Sequence, residues 1–176
     1  LPHAVHFDQA IENATPITSF RQMPFNAPLY ILYSSGTTGA PKCIVHGIGG
    51  TLIQHIKEHR LHTNLRAGDT LFYFTTCGWM MWNWLVSGLA SQARIVLYEG
   101  NPAFPGPDRL WQLAESEQIN IFGTSAKYID AIKNSGYRPA QHVELTALHS
   151  ILSTGSPLSS DGFAFVYDAI NPDVQL

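Results

Sequence analysis

Apolar and amphipathic segments alternate along most of this chain. Four short, β-rich apolar runs predict strands, at residues 70–74, 94–98, 119–122 and 149–152. Four helical patterns follow them, at residues 80–90, 108–117, 126–134 and 159–169. Because strand and helix alternate from residue 70 onward, the pattern predicts an α/β domain, with layers in the order α/β/α around a largely parallel sheet.

Three helical segments carry further expectations. Thr124 or Ser125 is expected to cap the helix that ends at Gly136. The segment 80–90 is apolar on nearly all sides, which predicts that the whole helix is buried. The segment 51–62 is predicted to bury one face, formed by Leu52, Ile53, Ile56 and Leu61.

The N-terminal part of the chain has a different pattern. Residues 1–28 mix polar, proline and aromatic residues without a period, and we expect an extended arm there. Apolar runs at residues 29–33 and 43–46 predict two strands joined by a polar loop. We therefore expect the folded domain to occupy residues 29–176.

Composition limits the function and the surroundings of the chain. Only 13% of the residues are charged, against 45% hydrophobic, and the first residue is Leu rather than Met. Since a domain usually has about 25% charged residues, we expect part of this surface to be covered by further protein. We therefore expect the chain to be a fragment of a longer protein. The net charge of −3 and the lack of a basic patch argue against nucleic acid as a partner. No apolar run reaches the roughly 18–20 residues that span a membrane.

The two cysteines, Cys43 and Cys77, are too few and too far apart for a disulfide framework or a structural zinc site. A reducing, cytoplasmic setting is therefore expected.

The polar loop at residues 34–42 is the clearest chemical signal. It contains four hydroxyl residues, two glycines and a closing lysine: Ser34, Ser35, Gly36, Thr37, Thr38, Gly39 and Lys42. Glycines allow close approach of the backbone to an anion, hydroxyls add donors and the lysine adds a positive charge. The spacing differs from that of a Walker A loop, which joins a strand to a helix. On composition alone, a phosphate-binding loop and a flexible polar turn remain open.

Residues 31–42 resemble the nucleotide-phosphate signature of the adenylate-forming, acyl-activating superfamily, which includes acyl-CoA synthetases, luciferases and peptide-synthetase adenylation domains. Residues 78–84 resemble the segment that lines the acyl pocket in short-chain acyl-CoA synthetases. Residues 121–128 and 151–158 are most similar to the branch that activates acetoacetate. The resemblance covers residues 29–176 and implies part of the large N-terminal domain of such an enzyme.

The resemblance implies an ATP-dependent ligation in two half-reactions. A carboxylate, preferably acetoacetate, is joined to AMP with release of pyrophosphate, and coenzyme A then displaces the AMP. Acetate or propionate is the alternative acid, and a nucleotide-binding relative without catalysis is the alternative class. The family also uses Mg²⁺, but the glutamate that helps to hold it has no counterpart here. The ribose-binding aspartate and the C-terminal lysine are absent too, so we expect this chain to be inactive alone and to pack against the remainder of its protein.

The resemblance also implies roles for individual residues. The loop residues 34–39 and Lys42 would hold the phosphates, with Lys42 and Thr37 as catalytic residues. Gly155, Ser156 and Pro157 would lie against adenine, although related synthetases often have an acidic residue where Ser156 stands. The acyl group would be bounded by Trp79, Met80 and Met81.

Some polar residues remain without an assigned role. His55, His59 and His62 share a helix face at a spacing that can bind a metal, but a packed or solvated polar face is favoured, and no metal site is predicted. His46 is expected to be structural rather than to face the phosphates. For Lys127, a helix-surface position and a position near a ligand stay equally open.

Overall fold

The computed structural model describes residues 4–34 and 39–176. Its strands are β1 Pro28–Ser34, β2 Lys42–Gly47, β3 Thr70–Tyr73, β4 Arg94–Val96, β5 Ile121–Ser125 and β6 Ser150–Thr154. Its α-helices are α1 Phe7–Ile11, α2 Ile48–Lys57, α3 Met80–Ser87, α4 Arg109–Ser116, α5 Ala126–Ser135 and α6 Ser160–Ala169. A π-helical turn, Glu58–His62, continues α2, and 3₁₀ turns occupy Gly88–Ser91 and Pro139–Gln141.

Four strands form one parallel sheet in the order β4-β3-β5-β6. This confirms the predicted α/β architecture with a parallel sheet. The strands β1 and β2, predicted from the two apolar runs, form a separate antiparallel hairpin, a pairing that the sequence did not predict.

Side chains alternate along the strands, so apolar residues lie on both faces of the sheet, and helices cover both faces. Phe72 and Phe122 point to the face covered by α4, α5 and α6, where Trp111 stacks on Phe122 with ring centroids 4.8 Å apart. Leu71 and Ile121 point to the opposite face, against Leu85 of α3. Since α2 packs on α3, the layers are those of the predicted α/β/α arrangement.

Local capping signals define α5 as predicted. The Ser125 hydroxyl accepts a hydrogen bond from the backbone N–H of Tyr128, 3.2 Å away. Gly136 ends the helix with φ of 75°, in the left-handed region that glycine adopts without strain. The start of α5 is thereby fixed at the carboxyl end of β5, where the sheet opens.

The predicted buried face of α2 is wrong. Ile53 and Leu61 are 62% and 77% exposed and Leu52 is exposed as well, whereas His55 and His59 are buried. The two imidazoles face α3, which offers the hydroxyl of Ser87 as a hydrogen-bond partner. The face that finds polar partners is therefore buried in place of the more apolar one.

The helix α3 is also less buried than its sequence predicted. Trp84 and Leu85 are buried, but Met80 is exposed, and so is Leu89 in the 3₁₀ turn that completes the predicted segment 80–90. The physical reason is that α3 covers only one face of the sheet and its first turn lies beside an open cleft. An apolar side chain is thus left in solvent at each end of this segment.

The N-terminal arm makes little contact with the rest of the described chain. It contains the five-residue helix α1, which the sequence did not predict, and none of its residues between 4 and 23 is buried. Its end is anchored, because the backbone carbonyls of Phe25 and Ala27 accept hydrogen bonds from Gly49 and Ile48 at the start of α2.

Among residues 4–34 and 39–176, no helix is long and apolar enough to cross a membrane.

Candidate active site

A cleft of about 400 Å³ opens at the carboxyl ends of three neighbouring strands, β3, β5 and β6. Parallel sheets place ligands at this edge. Twelve residues line it: Tyr73, Phe74, Thr75, Thr76, Trp79, Met81, Thr124, Ser125, Lys127, Thr154, Gly155 and Ser156. Each strand supplies one wall, so segments far apart in sequence meet in one cavity.

The β3 wall combines a hydroxyl turn with large apolar side chains. Thr75 and Thr76 lie two and three residues after the end of β3, and Trp79 and Met81 flank the first residue of α3. Met80, the third residue expected in an acyl pocket, does not line the cleft and is exposed. This wall is the apolar part of the cavity.

The β6 wall is a tight turn of small residues. Thr154, Gly155 and Ser156 line the cleft, whereas Pro157 does not. Gly155 has φ of 88°, which turns the chain sharply between β6 and the approach to α6. The turn leaves an open backbone surface with two hydroxyls, suited to a flat ring lying against it.

The β5 wall lies between the other two. It brings Thr124, Ser125 and Lys127 into the cleft, at the end of β5 and in the first turn of α5. The sequence left the place of Lys127 open, and Thr124 was expected only as a helix cap. The signal for both was their position just after a buried strand, because that is where a parallel sheet exposes ligand-binding side chains.

The floor of the cleft depends on a close contact between Tyr73 and Gly123. The Tyr73 hydroxyl donates a hydrogen bond to the backbone carbonyl of Thr124, 3.1 Å away. Burial raises the pKa of Tyr73 to about 12, so the phenol stays protonated and keeps this bond at physiological pH. A Cβ atom on Gly123 would lie 2.0 Å from the tyrosine ring, so only glycine leaves room for it.

The electrostatics of the cleft favour an anion or a polar oxygen. Lys127 lies at the second position of α5. This end of the helix also carries the partial positive charge of the helix dipole, because its first backbone N–H groups have no partner within the helix. No carboxylate is among the residues that line the described cleft. A negatively charged or carbonyl-bearing ligand therefore meets donors and no opposing charge.

A second cavity of about 430 Å³ adjoins the first along β3 and β4. Phe74, Thr75 and Thr76 line both cavities, and Leu97 to Gly100 form the far side of the second. The shared turn makes the two cavities neighbours on one edge of the sheet.

The predicted phosphate loop is only partly within the described residues. Ser35, Gly36, Thr37 and Thr38 lie outside them. The antiparallel ladder places Ser34 directly opposite Lys42, and Lys42 and Gly39 are exposed. None of the described residues of the β1–β2 hairpin lines the cleft.

The histidines of α2 make a packed interface with α3. The Nε2 atom of His59 lies 3.0 Å from the carbonyl oxygen of Trp84, and Nδ1 of His55 lies 2.9 Å from the Ser87 hydroxyl. Burial lowers the pKa of both imidazoles, that of His59 to about 4. His62 is exposed, and the residues that the structure describes contain no group of three potential metal ligands. The geometry is that of a neutral, packed polar contact.

Comparison with known proteins decides the family. The model of the AMP-binding enzyme family matches residues 5–175, nearly the whole chain. The chain belongs to the AMP-binding enzyme family.

Several relatives are similar over most of the chain. It is 60% identical to acetoacetyl-coenzyme A synthetase of Rhizobium meliloti (strain 1021) over 157 residues, 89% of the chain and 24% of that protein. It is 45% identical to malonamoyl-CoA synthetase of Penicillium aethiopicum, again over 89% of the chain and 24% of the relative. The solved structure of acetoacetyl-CoA synthetase from Streptomyces lividans matches with a TM-score of 0.88 and 44% identity, over 95% of the chain and 26% of that protein. The chain therefore spans about a quarter of the length of these relatives.

Proposed function

We propose that this chain is part of an ATP-dependent ligase that activates acetoacetate as an acyl-adenylate and transfers it to coenzyme A. The observation that carries the proposal is the three-walled cleft, whose apolar wall, polar middle and small-residue turn lie side by side. Similarity to acetoacetyl-CoA synthetases at up to 60% identity supports the acid and the reaction. The chain would supply one part of the site and the rest of the protein the remainder.

The walls divide the work by their chemistry. Trp79 and Met81 offer an apolar surface that fits a short acyl chain, and Met adapts its shape to such a group. Gly155 and Ser156 offer a turn against which adenine can lie. The loop that ends at Lys42 would hold the β- and γ-phosphates, the lysine neutralising the charge that grows on departing pyrophosphate. Reaction between carboxylate and α-phosphorus would then occur between the walls.

Magnesium does not find a site of its own among the described residues. The cleft is lined by hydroxyls, backbone and one ammonium group, whereas Mg²⁺ prefers carboxylate and water oxygens. These residues therefore do not fit the bare ion.

A second acid has support from one relative. Malonamate, the acid of the malonamoyl-CoA synthetase to which the chain is 45% identical, has a carbonyl at the third carbon, as acetoacetate has. Acetate and propionate lack that carbonyl. The substrate class that we favour is therefore a short acid whose third carbon is a carbonyl, as a ketone in acetoacetate or as an amide in malonamate.

The surroundings of the chain are part of the proposal. Exposed apolar side chains on both strands of the hairpin, such as Ile31 and Val45, are suited to packing against the remainder of the protein. Two free, exposed thiols, Cys43 and Cys77, are consistent with a reducing cytoplasm.

The phosphate loop provides the direct test. In the full-length protein, Lys42→Ala should slow acetoacetate-dependent exchange of pyrophosphate into ATP, because one charge-assisted contact contributes about 1.5–3 kcal/mol. The control is Lys57→Ala, which changes a lysine at the end of α2, outside both the loop and the cleft. Exchange by the Lys42 variant within twofold of the wild type would contradict the assignment.

A further inference from the structure

Lys127 has no structural task that the described residues reveal. It is exposed on the first turn of α5, and no carboxylate lies within ion-pair distance of it among the described residues. A cation at the N-terminal end of a helix opposes the helix dipole, so α5 gains no stability from it. The side chain nonetheless lines the cleft, which points to a ligand as its partner.

Thr124 is an independent sign of a missing partner in the same cleft. The residue is 1% exposed, and its hydroxyl has no hydrogen-bond partner among the residues that the structure describes. A buried hydroxyl without a partner costs free energy unless a ligand or a rotation of the side chain satisfies it. It stands three residues before Lys127, on the same wall.

Other donors near this wall are already engaged. The Tyr73 hydroxyl donates to the Thr124 carbonyl and that of Thr75 to the Thr76 carbonyl. Within the β5 wall, the Ser125 hydroxyl accepts a hydrogen bond from the backbone N–H of Tyr128, whereas neither Lys127 nor the Thr124 hydroxyl has a hydrogen-bond partner among the described residues. Because β5 lies between β3 and β6, they also lie next to the apolar wall of Trp79 and Met81.

We propose that Lys127, assisted by the hydroxyl of Thr124, selects acids with a carbonyl at the third carbon by donating hydrogen bonds to that oxygen. This inference rests on the proposed function, since it concerns the acid that the enzyme activates. An apolar wall alone would bury the 3-oxo oxygen without a partner and so disfavour acetoacetate. A donor beside that wall makes the site prefer acetoacetate instead, because an acid without the 3-oxo oxygen leaves the donor unpaired.

The test compares acetoacetate with butyrate, which has the same four-carbon chain without the 3-oxo group. In the full-length protein, Lys127→Met should lower kcat/KM for acetoacetate on the order of 10- to 100-fold and change butyrate by less than about threefold. The loss should appear mainly in KM, because the 3-oxo group is remote from the reacting carboxylate. Lys127→Arg, which keeps a donor, should retain much of the preference.

Two further variants separate recognition from folding. Lys133→Met changes another lysine of α5, one that pairs with Asp130 at 3.4 Å and does not line the cleft, and it should leave both acids unaffected. Thr124→Val removes the unpartnered hydroxyl while keeping the side-chain shape. It should not lower the melting temperature, because the hydroxyl has no partner to lose, and it should weaken acetoacetate alone, by on the order of 3- to 10-fold.

Different outcomes overturn different claims. Equal losses for both acids in Lys127→Met would show that the lysine holds the carboxylate or a phosphate, and unchanged kinetics would show a surface lysine. Either result overturns the inference and leaves the proposed function standing. A wild-type protein that activates neither acid would overturn the proposed function itself, and with it this inference.

Discussion

The β1–β2 hairpin and the parallel sheet are both made of apolar strands, yet the side chains of the hairpin are largely exposed and those of the sheet are buried. Ile31 in the hairpin is 52% exposed, whereas Phe122 in the sheet is fully buried. The sheet has helices on both faces, while the described part of the hairpin is held through α2 at one end. An isolated two-stranded hairpin is marginal in water, so its stability must come from what packs on it. The stability of the described part of the hairpin therefore depends on its surroundings.

The largest expected effect contrasts the two regions directly. Phe122→Ala removes a ring packed between Phe72 and Trp111, and should lower the free energy of unfolding of the chain by about 3–5 kcal/mol. Ile31→Ala in the hairpin should cost under about 1 kcal/mol, since half of that side chain is already in water. Urea denaturation of both variants measures the difference.

Repeating the Ile31→Ala measurement in the full-length protein tests whether the hairpin is exposed only in this chain. In the full-length protein, Ile31→Ala should become markedly more costly if further protein covers the hairpin. An equally small effect in both lengths would show that the hairpin stays exposed.

The next effect lies at the α2–α3 interface, which links the two regions. Burial holds the pKa of His59 at about 4, against about 6.5 in the unfolded chain. The folded state thus binds fewer protons than the unfolded state between these values. The neutral His59 imidazole therefore contributes fully to the free energy of unfolding above pH 6.5. That contribution, up to about 3 kcal/mol, is lost as the pH falls towards 4.

His59→Gln should remove most of that pH dependence while keeping a donor for the Trp84 carbonyl. Denaturation at pH 7.5 and pH 5 for variant and wild type gives the difference. A wild-type stability that falls no more steeply than that of the variant would argue against a buried neutral imidazole.

The smallest effect compares a glycine from each region. Gly123→Ala should cost about 1–3 kcal/mol, because its Cβ would displace the Tyr73 ring from the floor of the cleft. Gly39→Ala should be nearly neutral, since no described atom lies within 4 Å of the added Cβ. Thermal denaturation is sufficient to rank them, and a neutral Gly123→Ala would mean that the ring has another position.

Local signals in the sequence predicted much of the sheet. Ser125 and Gly136 mark the ends of α5, and the alternation of strands and helices predicted the parallel sheet, though not the order of its strands. The buried face of α2 was missed because it is decided by Ser87 and the Trp84 carbonyl, some 25 to 32 residues later in the chain. Periodicity within one helix carries no information about such distant partners.

The candidate site was predictable to a similar degree. The sequence pointed to Trp79, Met81, Gly155 and Ser156, all of which line the cleft. It could not separate Met80 from its neighbours, because the rotation of α3 decides which side chain faces inward. The binding roles of these residues, and those of the phosphate loop, stay predictions.

The strand order has a consequence for synthesis on the ribosome. The chain makes β4 before β5, yet β5 occupies the free side of β3. The inner edge of β3 therefore stays unpaired while residues 97–120 emerge, which takes about 1–5 s at typical rates of translation. An unpaired apolar edge invites pairing with other chains. Slow translation or a stall in that interval would expose the nascent protein to aggregation before the middle strand of its own cleft has been made.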